Sequence, residues 1–299
     1  MTQLIEKYMS YLRYERNYSP RTEIYYLEDL RQFADFTEKR FGEEVSVDKV
    51  DADIVRQWIV SLMESGISGR SVNRKLSALK SFYRYLMRVG VVVSSPLKKV
   101  VGPKMKKPIP AFVNSKEMDR VLDDSNFEGS FADMRAHLIL ELFYATGIRR
   151  AELIGIKDED IDFFNETVQI TGKRNKQRLI PLSKPMLKMI KQYMDVRNEE
   201  LTFRSGYLFV KDDGEQLYPM FVHRLVHEHL QSVGTLSKTS PHVLRHSFAT
   251  GMLNNGADLN AVKELLGHSS LASTEVYTHT SFEELKSIYK QAHPRAGEN

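Results

Sequence analysis

The segment LGHSSLASTEVYTH, residues 266–279, concentrates side chains that can do chemistry. His268 follows a glycine that can end a helix, and Tyr277 comes nine residues later. Few residues of the segment are apolar, which is not typical of a stretch built for packing. A tyrosine hydroxyl can act as a covalent nucleophile, and an imidazole can donate a hydrogen bond or transfer a proton. We therefore expect His268 and Tyr277 to act on groups that other segments hold in place.

Three further segments carry polar groups that a packed core would avoid, namely ATGIRRAEL (145–153), TGKRNKQR (171–178) and SPHVLRHSFAT (240–250). Taken singly, each has an ordinary interpretation. Arg149 could be a cation at a helix end and Lys173 a hairpin lysine. Arg245 belongs to a His-x-x-Arg pattern, which many proteins contain by chance. The combination of the segments, rather than any one of them, indicates a site.

Length and composition narrow the classes of protein. At 299 residues the chain is long enough for two domains, each with its own core. The absence of cysteine excludes thiolate nucleophiles and cysteine-containing zinc sites, and it is compatible with a reducing cytoplasm. The N-terminal segment is amphipathic with charges of both signs, which is typical of neither a signal peptide nor a membrane span. We expect a soluble cytoplasmic protein.

The positive charge is concentrated in one block. Residues 1–64 hold nine Lys or Arg and thirteen Asp or Glu, whereas residues 65–116 hold twelve Lys or Arg and no acidic residue. Part of this block, residues 68–90, has the apolar period of a helix with one buried stripe, made of Val72, Leu76, Leu79, Tyr83 and Leu86. Another face carries cations and small hydroxyls at the same pitch, formed by Arg70, Arg74, Ser77, Ser81, Arg84 and Arg88.

A row of cations at helical pitch suits the phosphates of a nucleic acid. The ordinary alternative is a solvated helix face, but such faces usually mix glutamate with lysine. We therefore predict nucleic-acid contacts at the basic residues of this helix, which are Arg70, Arg74, Lys80, Arg84 and Arg88.

Helical patterns around residues 18–39 and 51–65 complete a helical domain over residues 1–103. Residues 104–113 follow as an extended basic linker rich in proline and lysine. Residues 114–299 form the second domain, which is mostly helical. Its segment ETVQITGKRNKQRLIPL alternates Val168, Ile170 and then Leu179 around a polar turn, which predicts a β-hairpin. The fold class is thus mainly α with a small antiparallel sheet.

Together these segments resemble the tyrosine recombinases, also called lambda-type integrases, and are similar to the Xer branch of that family. The resemblance covers nearly the whole chain: YSPRT, SVNRKLSALKSFYRYL, the basic linker, the four polar segments and the tail YKQAHPRA. In order and spacing, the active-site set of the family falls on Arg149, Lys173, His242, Arg245, His268 and Tyr277.

The resemblance implies a helical core-binding domain and a mixed, mostly helical catalytic domain that together clamp duplex DNA. Two guanidiniums would hold the phosphate oxygens without a metal or another cofactor, while Tyr277 stores the bond energy as a phosphotyrosyl ester. His268 would hydrogen-bond the phosphate, Lys173 would protonate the leaving 5′-oxygen, and His242 would orient the site or help to deprotonate Tyr277. Implied partners are a target DNA duplex, a homo- or heterotetramer of recombinase subunits and a DNA translocase, with no membrane.

The hairpin departs from the pattern of the family. Where relatives commonly have Gly-Lys-Gly, this chain has Gly172, Lys173 and Arg174. The loss of the second glycine narrows the conformations open to the turn. Arg174 and Lys176 are therefore competing candidates for the acid.

Other interpretations remain open at this point. No G-x-x-x-x-G-K-[ST] loop is present, which disfavours an NTP-driven enzyme. The acidic run 157–162 and the three histidines of FVHRLVHEHL (221–230) could bind a metal, as in a nuclease, although HExxH is not formed. A non-catalytic DNA-binding regulator and a type IB topoisomerase are further alternatives. Within recombination, chromosome-dimer resolution and movement of a mobile element both fit.

Overall fold

The computed structural model describes most of the chain. The described residues are 1–42, 44–105, 112–127, 129–172, 175–203, 205–234, 236, 239–267 and 279–293. The chain divides into two compact units, Met1–Pro108 and Ile109–Asn299. Most of the predicted linker, residues 104–113, lies outside the described residues, so the predicted domain boundaries stay a prediction.

The described part of the first unit contains four α-helices: α1 (Thr2–Tyr14), α2 (Pro20–Phe41), α3 (Ala52–Glu64) and α4 (Gly69–Arg88). Serine hydroxyls cap two of them, because Ser19 accepts a hydrogen bond from the amide of Thr22 and Ser68 from that of Ser71. The core is rich in aromatic residues and includes Trp58, which packs edge to face on Phe33 at 4.9 Å.

Helix α4 has the two faces that its sequence predicts. All five apolar residues of the predicted stripe are buried in the core of the first unit. The five basic residues Arg70, Arg74, Lys80, Arg84 and Arg88 are exposed. The buried face fixes the rotation of the helix, and this rotation turns the cations toward solvent.

The described α-helices of the second unit are α5 (Ser115–Val121), α6 (Phe131–Thr146), α7 (Arg150–Ile154), α8 (Lys184–Glu200), α9 (Pro219–Leu230), α10 (Pro241–Asn254), α11 (Leu259–Leu265) and α12 (His279–Ala292). Helix α6 is buried over every residue from Arg135 to Thr146 and forms the centre of the core. Helix α12 buries Leu285 and Tyr289 in this same core. Among the described helices, none combines the length and the hydropathy needed to cross a membrane.

A three-stranded antiparallel sheet, β1 (Ile161–Asp162), β2 (Thr167–Thr171) and β3 (Gln177–Pro181), lies in the second unit in sequence order. The predicted hairpin is confirmed as β2 and β3, and so is the mainly helical fold class with its small sheet. Leu179 does not share the buried face of Val168 and Ile170, because it pairs with Gln169 and is 41% exposed. Ile180 and Arg178 face the core instead, because a shift of one residue reverses the face of a strand.

Candidate active site

Two predicted site arginines converge on the end of α11. Arg149 directly precedes α7, and its Nη2 donates to the carbonyl oxygen of Gly267 at 3.3 Å. Arg245 lies in the second turn of α10, where Nη1 donates to the carbonyl of Gly147 at 2.6 Å and Nη2 to that of Leu266 at 2.8 Å. The two guanidiniums therefore bind neighbouring carbonyls of one short segment.

A third guanidinium completes this arrangement. Arg178 Nε donates to the carbonyl of Leu265 at 2.8 Å, so residues 265, 266 and 267 each bind a different arginine. Carbonyls at the C-terminal end of a helix lack partners within the helix and carry partial negative charge, which favours cations there. We call the guanidiniums of Arg149, Arg178 and Arg245 the arginine cluster. The cluster holds the chain at the residue that directly precedes His268.

One buried carboxylate ties two members of the arginine cluster together. Glu152 accepts the backbone N–H of Arg149 at 2.8 Å and Arg149 Nη1 at 2.7 Å. Arg178 binds the same carboxylate through Nη2 at 2.8 Å and Nη1 at 3.2 Å. Burial acts to raise the pKa of Glu152, but the hydrogen bonds from Arg178 and Arg149 outweigh it and hold this pKa below its ordinary value. Glu152 is therefore a carboxylate at neutral pH.

The balance of charge favours an anion. Burial, and after it repulsion by Arg149, lower the pKa of Arg245 to about 10 in spite of the attraction of Glu152. At neutral pH Arg245 still carries its charge. Three guanidiniums and one carboxylate leave a local excess of positive charge in a partly buried setting, where electrostatic interactions are stronger than in water. Such a site is suited to bind a phosphate.

Close approach of the chain requires a glycine at position 147. Gly147 ends α6 with φ of 60°, in the left-handed region. A Cβ atom at this position would lie 2.5 Å from Phe248 Cδ1 and 2.9 Å from Leu266 Cδ2. The absence of a side chain thus allows α6, α10 and the end of α11 to meet, and the carbonyl of Gly147 then accepts from Arg245.

Of the four other predicted catalytic residues, the structure describes His242. His242 is exposed in the first turn of α10, three residues before Arg245 and therefore on the same side of the helix. Lys173, His268 and Tyr277 lie outside the described residues. Gly172, next to Lys173 in the chain, lies beside the carboxylate, since a Cβ atom there would be 3.4 Å from Glu152 Oε1.

Sequence reasoning missed Glu152 and Arg178, although both lie in segments that it selected. The signal for Arg178 was present but depended on strand register. Ile170 is buried, and Arg178 pairs directly with it across the sheet. An arginine on the inward face of a strand needs an anionic partner, and the carboxylate of Glu152 fills that role.

The predicted DNA-contact residues of the first unit differ in their surroundings. Arg74 Nη1 and Nη2 bind the carboxylate of Asp29 at 2.5 and 2.9 Å, and Lys75 binds the same carboxylate at 2.9 Å. Asp29 is only 1% exposed. Arg88 donates to the hydroxyl of Tyr11 at 2.8 Å. The other predicted contact residues make no hydrogen bond or ion pair with another described residue; these are Arg70, Lys80 and Arg84.

The histidines of α9 do not form a metal site with other described residues. His227 Nδ1 bonds to the hydroxyl of Thr239, and the rings of His223 and His227 are 6.3 Å apart. Within the described part of the chain, no three His, Asp or Glu side chains are grouped as metal ligands would be.

Comparison with known proteins gives matches over both units. Residues 111–284 match the phage integrase family, and residues 5–90 match the phage integrase N-terminal SAM-like domain. Tyrosine recombinase XerC of Chlorobaculum parvum is 40% identical over 317 aligned residues, covering 98% of this chain and 94% of that protein. The XerC protein of Bacillus subtilis is 36% identical over 300 residues, covering 98% and 96%.

Solved structures of recombinases share the fold. XerH in a post-cleavage complex with a palindromic difH substrate aligns with a TM-score of 0.72 at 24% identity, covering 96% of this chain and 83% of that one. A lambda integrase dimer on a COC′ core site aligns with a TM-score of 0.66 at 18% identity, covering 100% and 79%.

Proposed function

The chain belongs to the phage integrase family and is a tyrosine site-specific recombinase, and from this premise we propose which residues carry out the reaction. The proposed catalytic set is Arg149, Lys173, His242, Arg245, His268 and Tyr277. One observation carries the assignment. Arg149 and Arg245, which are 96 residues apart in the chain, bind the carbonyls of Gly267 and Leu266 directly before His268.

The two arginines bind the nonbridging oxygens of the scissile phosphate. These oxygens gain negative charge as the fifth bond to phosphorus forms, so a fixed pair of guanidiniums stabilises the transition state more than the ground state. The two side chains supply this positive charge themselves. His268 donates a further hydrogen bond to the phosphate.

Tyr277 performs the cleavage step. Its hydroxyl oxygen forms a bond to phosphorus and loses its proton, with His242 assisting, while the bond from phosphorus to the 5′-oxygen breaks. Lys173 gives a proton to that 5′-oxygen. The product is a 3′-phosphotyrosyl ester and a free 5′-hydroxyl. Attack by the 5′-hydroxyl of a partner strand reverses these bond changes and joins the strands, so no ATP is consumed.

Cations on α4 supply the proposed grip on the DNA backbone. The exposed residues Arg70, Lys80 and Arg84 have the charge and the helical spacing that a row of phosphates requires. Arg74 contributes less than the sequence predicts, because Asp29 neutralises it. The lysines of the linker 104–113 extend the grip.

The biological role that we propose is the resolution of chromosome dimers in the cytoplasm. Its support is that relatives with 35–40% identity, aligned over 98–99% of this chain, are named tyrosine recombinase XerC. We propose a tetramer of recombinase subunits on two DNA sites and a DNA translocase as an additional partner. The C-terminal segment would dock on a neighbouring subunit, which requires α12 to leave the core of its own unit.

Covalent capture tests this function and finds the target at the same time. The full chain is incubated in excess EDTA with sheared DNA of the genome that encodes it, and DNA attached to protein is recovered after denaturation and sequenced. We expect one enriched sequence for the wild type and none for Tyr277→Phe, which should bind the same DNA with unchanged affinity. Adduct formed by Tyr277→Phe would assign the nucleophile to another residue. Binding without adduct by the wild type would point to a non-catalytic regulator, and cleavage only without EDTA to a metal-dependent nuclease.

A further inference from the structure

Arg178 is a buried arginine that the proposed reaction does not use. It lies in β3, is 7% exposed and pairs across the sheet with Ile170. Its guanidinium makes three hydrogen bonds, one to the carbonyl of Leu265 and two to Glu152. A buried charge must be compensated by hydrogen bonds or ion pairs. The partners of Arg178 belong to two different segments of the chain.

The contacts of Arg178 lead directly to Arg149. Glu152 receives the fork of Arg178 on both carboxylate oxygens, and the same oxygens bind the backbone and the side chain of Arg149. Without Arg178, the buried carboxylate would keep its hydrogen bonds to Arg149, while Arg245 also attracts it electrostatically. Arg149 would then be drawn to neutralise Glu152 rather than to face a phosphate.

The bond from Arg178 Nε to Leu265 fixes where the fork points. Gly267 packs against the same guanidinium, because a Cβ atom at this glycine would lie 3.0 Å from Arg178 Nη1. A Cβ atom at Gly172 would lie 3.4 Å from Glu152 Oε1 and 3.8 Å from Arg178 Nη1. Lysine could not replace this geometry, since a single ammonium cannot bind two carboxylate oxygens and a carbonyl as a planar fork does.

We propose that Arg178 is a positioning residue for strand cleavage, which acts through Glu152 to hold Arg149 toward the scissile phosphate. The proposal rests on the function proposed above. Its consequence is specific to charge: the loss of Arg178 weakens the clamp on the nonbridging oxygens. The defect should therefore depend on whether those oxygens are charged.

A substrate with a methylphosphonate at the scissile position provides the test, because a methyl group replaces one nonbridging oxygen and removes the negative charge. The target duplex recovered by covalent capture is prepared with phosphate or methylphosphonate, and single-turnover cleavage is measured on both. For Arg178→Met we expect cleavage of the phosphate to fall on the order of 100-fold, as for a displaced catalytic group. Cleavage of the methylphosphonate should fall far less, and DNA affinity should stay the same.

Arg197→Met is the matched control. Arg197 is also buried, at 1% exposed, and binds both carboxylate oxygens of Asp158 at 2.8 and 2.7 Å, but it has no contact with the arginine cluster among the described residues. Its loss should destabilise the fold and leave the ratio of the two cleavage rates at the wild-type value. This ratio does not depend on the fraction of folded protein, so partial unfolding cannot imitate the expected result.

Three more variants keep the outcome decisive. Arg178→Lys, which retains the charge, should shift the ratio in the same direction by a smaller factor and serves if Arg178→Met does not fold. Adding Arg178→Met to Glu152→Gln should shift the ratio no further than Glu152→Gln alone, because both changes act on one path. Equal losses on both substrates, as for a purely structural residue, would overturn the inference. Failure of the wild type to form any adduct would instead overturn the proposed function.

Discussion

Replacement of Arg84 by alanine should weaken DNA binding, whereas replacement of Arg74 should mainly lower stability, although both are exposed arginines of the same helix. Arg84 has no ion pair with a described residue and is free to meet a phosphate. Arg74 is held by the buried carboxylate of Asp29, which Lys75 also binds. Arg84 and Arg74 are the same residue type and differ in whether a buried carboxylate neutralises the guanidinium. Comparing the two variants therefore isolates the effect of Asp29.

The size of the effect follows from counterion release. Each phosphate contact contributes about 0.9 to the slope of log affinity against log salt. Between 50 and 200 mM salt, one contact therefore accounts for about a 3.5-fold change in affinity. Arg84→Ala should remove one such factor. Arg74→Ala should leave the slope almost unchanged and should lower stability instead, by about 1 kcal/mol, since Lys75 still pairs with Asp29.

Fluorescence anisotropy with a labelled target duplex over that range of salt measures the slopes, and thermal unfolding of the same samples measures stability. A random duplex of equal length shows whether sequence preference changes. If Arg74→Ala lowers the slope as much as Arg84→Ala does, the ion pair with Asp29 opens on DNA and the reasoning is refuted. A change in base preference would place α4 in a groove rather than along the backbone.

Further predictions concern the chemistry and the packing of the second unit. Lys173→Ala should nearly abolish cleavage of ordinary DNA but should regain cleavage on a substrate whose 5′-bridging oxygen is replaced by sulfur, because a thiolate leaves without a proton. Lys176→Ala should show a much smaller difference in cleavage between the two substrates. If sulfur rescues Lys176→Ala alone, the acid is Lys176. Gly147→Ala should destabilise the chain by about 2–4 kcal/mol, because of left-handed backbone strain and the clash of the new Cβ atom with Phe248. Gly256→Ala should cost about 1 kcal/mol, because no atom lies within 4 Å of a Cβ atom at that position. Equal shifts of the two variants in thermal unfolding would contradict the packing argument. Because its pKa is lowered in the fold, Glu152 stabilises the protein above the unfolded pKa of about 4.3, and this contribution is lost as pH falls through the folded pKa. Glu152→Gln should therefore unfold more easily than the wild type at pH 7, and this gap in stability should narrow only as pH falls below about 4.3. A gap that does not narrow in acid would contradict the ionised state.

Local patterns in the sequence determined much of the architecture. The buried stripe of α4 and the hairpin of β2 and β3 follow from periods of 3.6 and 2, which each segment carries within itself. The types and order of the polar residues indicated the chemistry, because arginine, lysine, histidine and tyrosine have fixed chemical capacities wherever they lie. The roles of Lys173, His268 and Tyr277 are those that the resemblance to the tyrosine recombinases implies.

Only the tertiary structure decided which of these groups meet. The partner of Arg74 is 45 residues away, that of Arg178 on α11 is 87 residues away, and Arg149 reaches Gly267 over 118 residues. The register of β3 turned Arg178 inward and Leu179 outward, against the expectation from alternation. Periodicity specifies the face of one element but not the charge on the element packed against it, and a buried charge is defined by that partner.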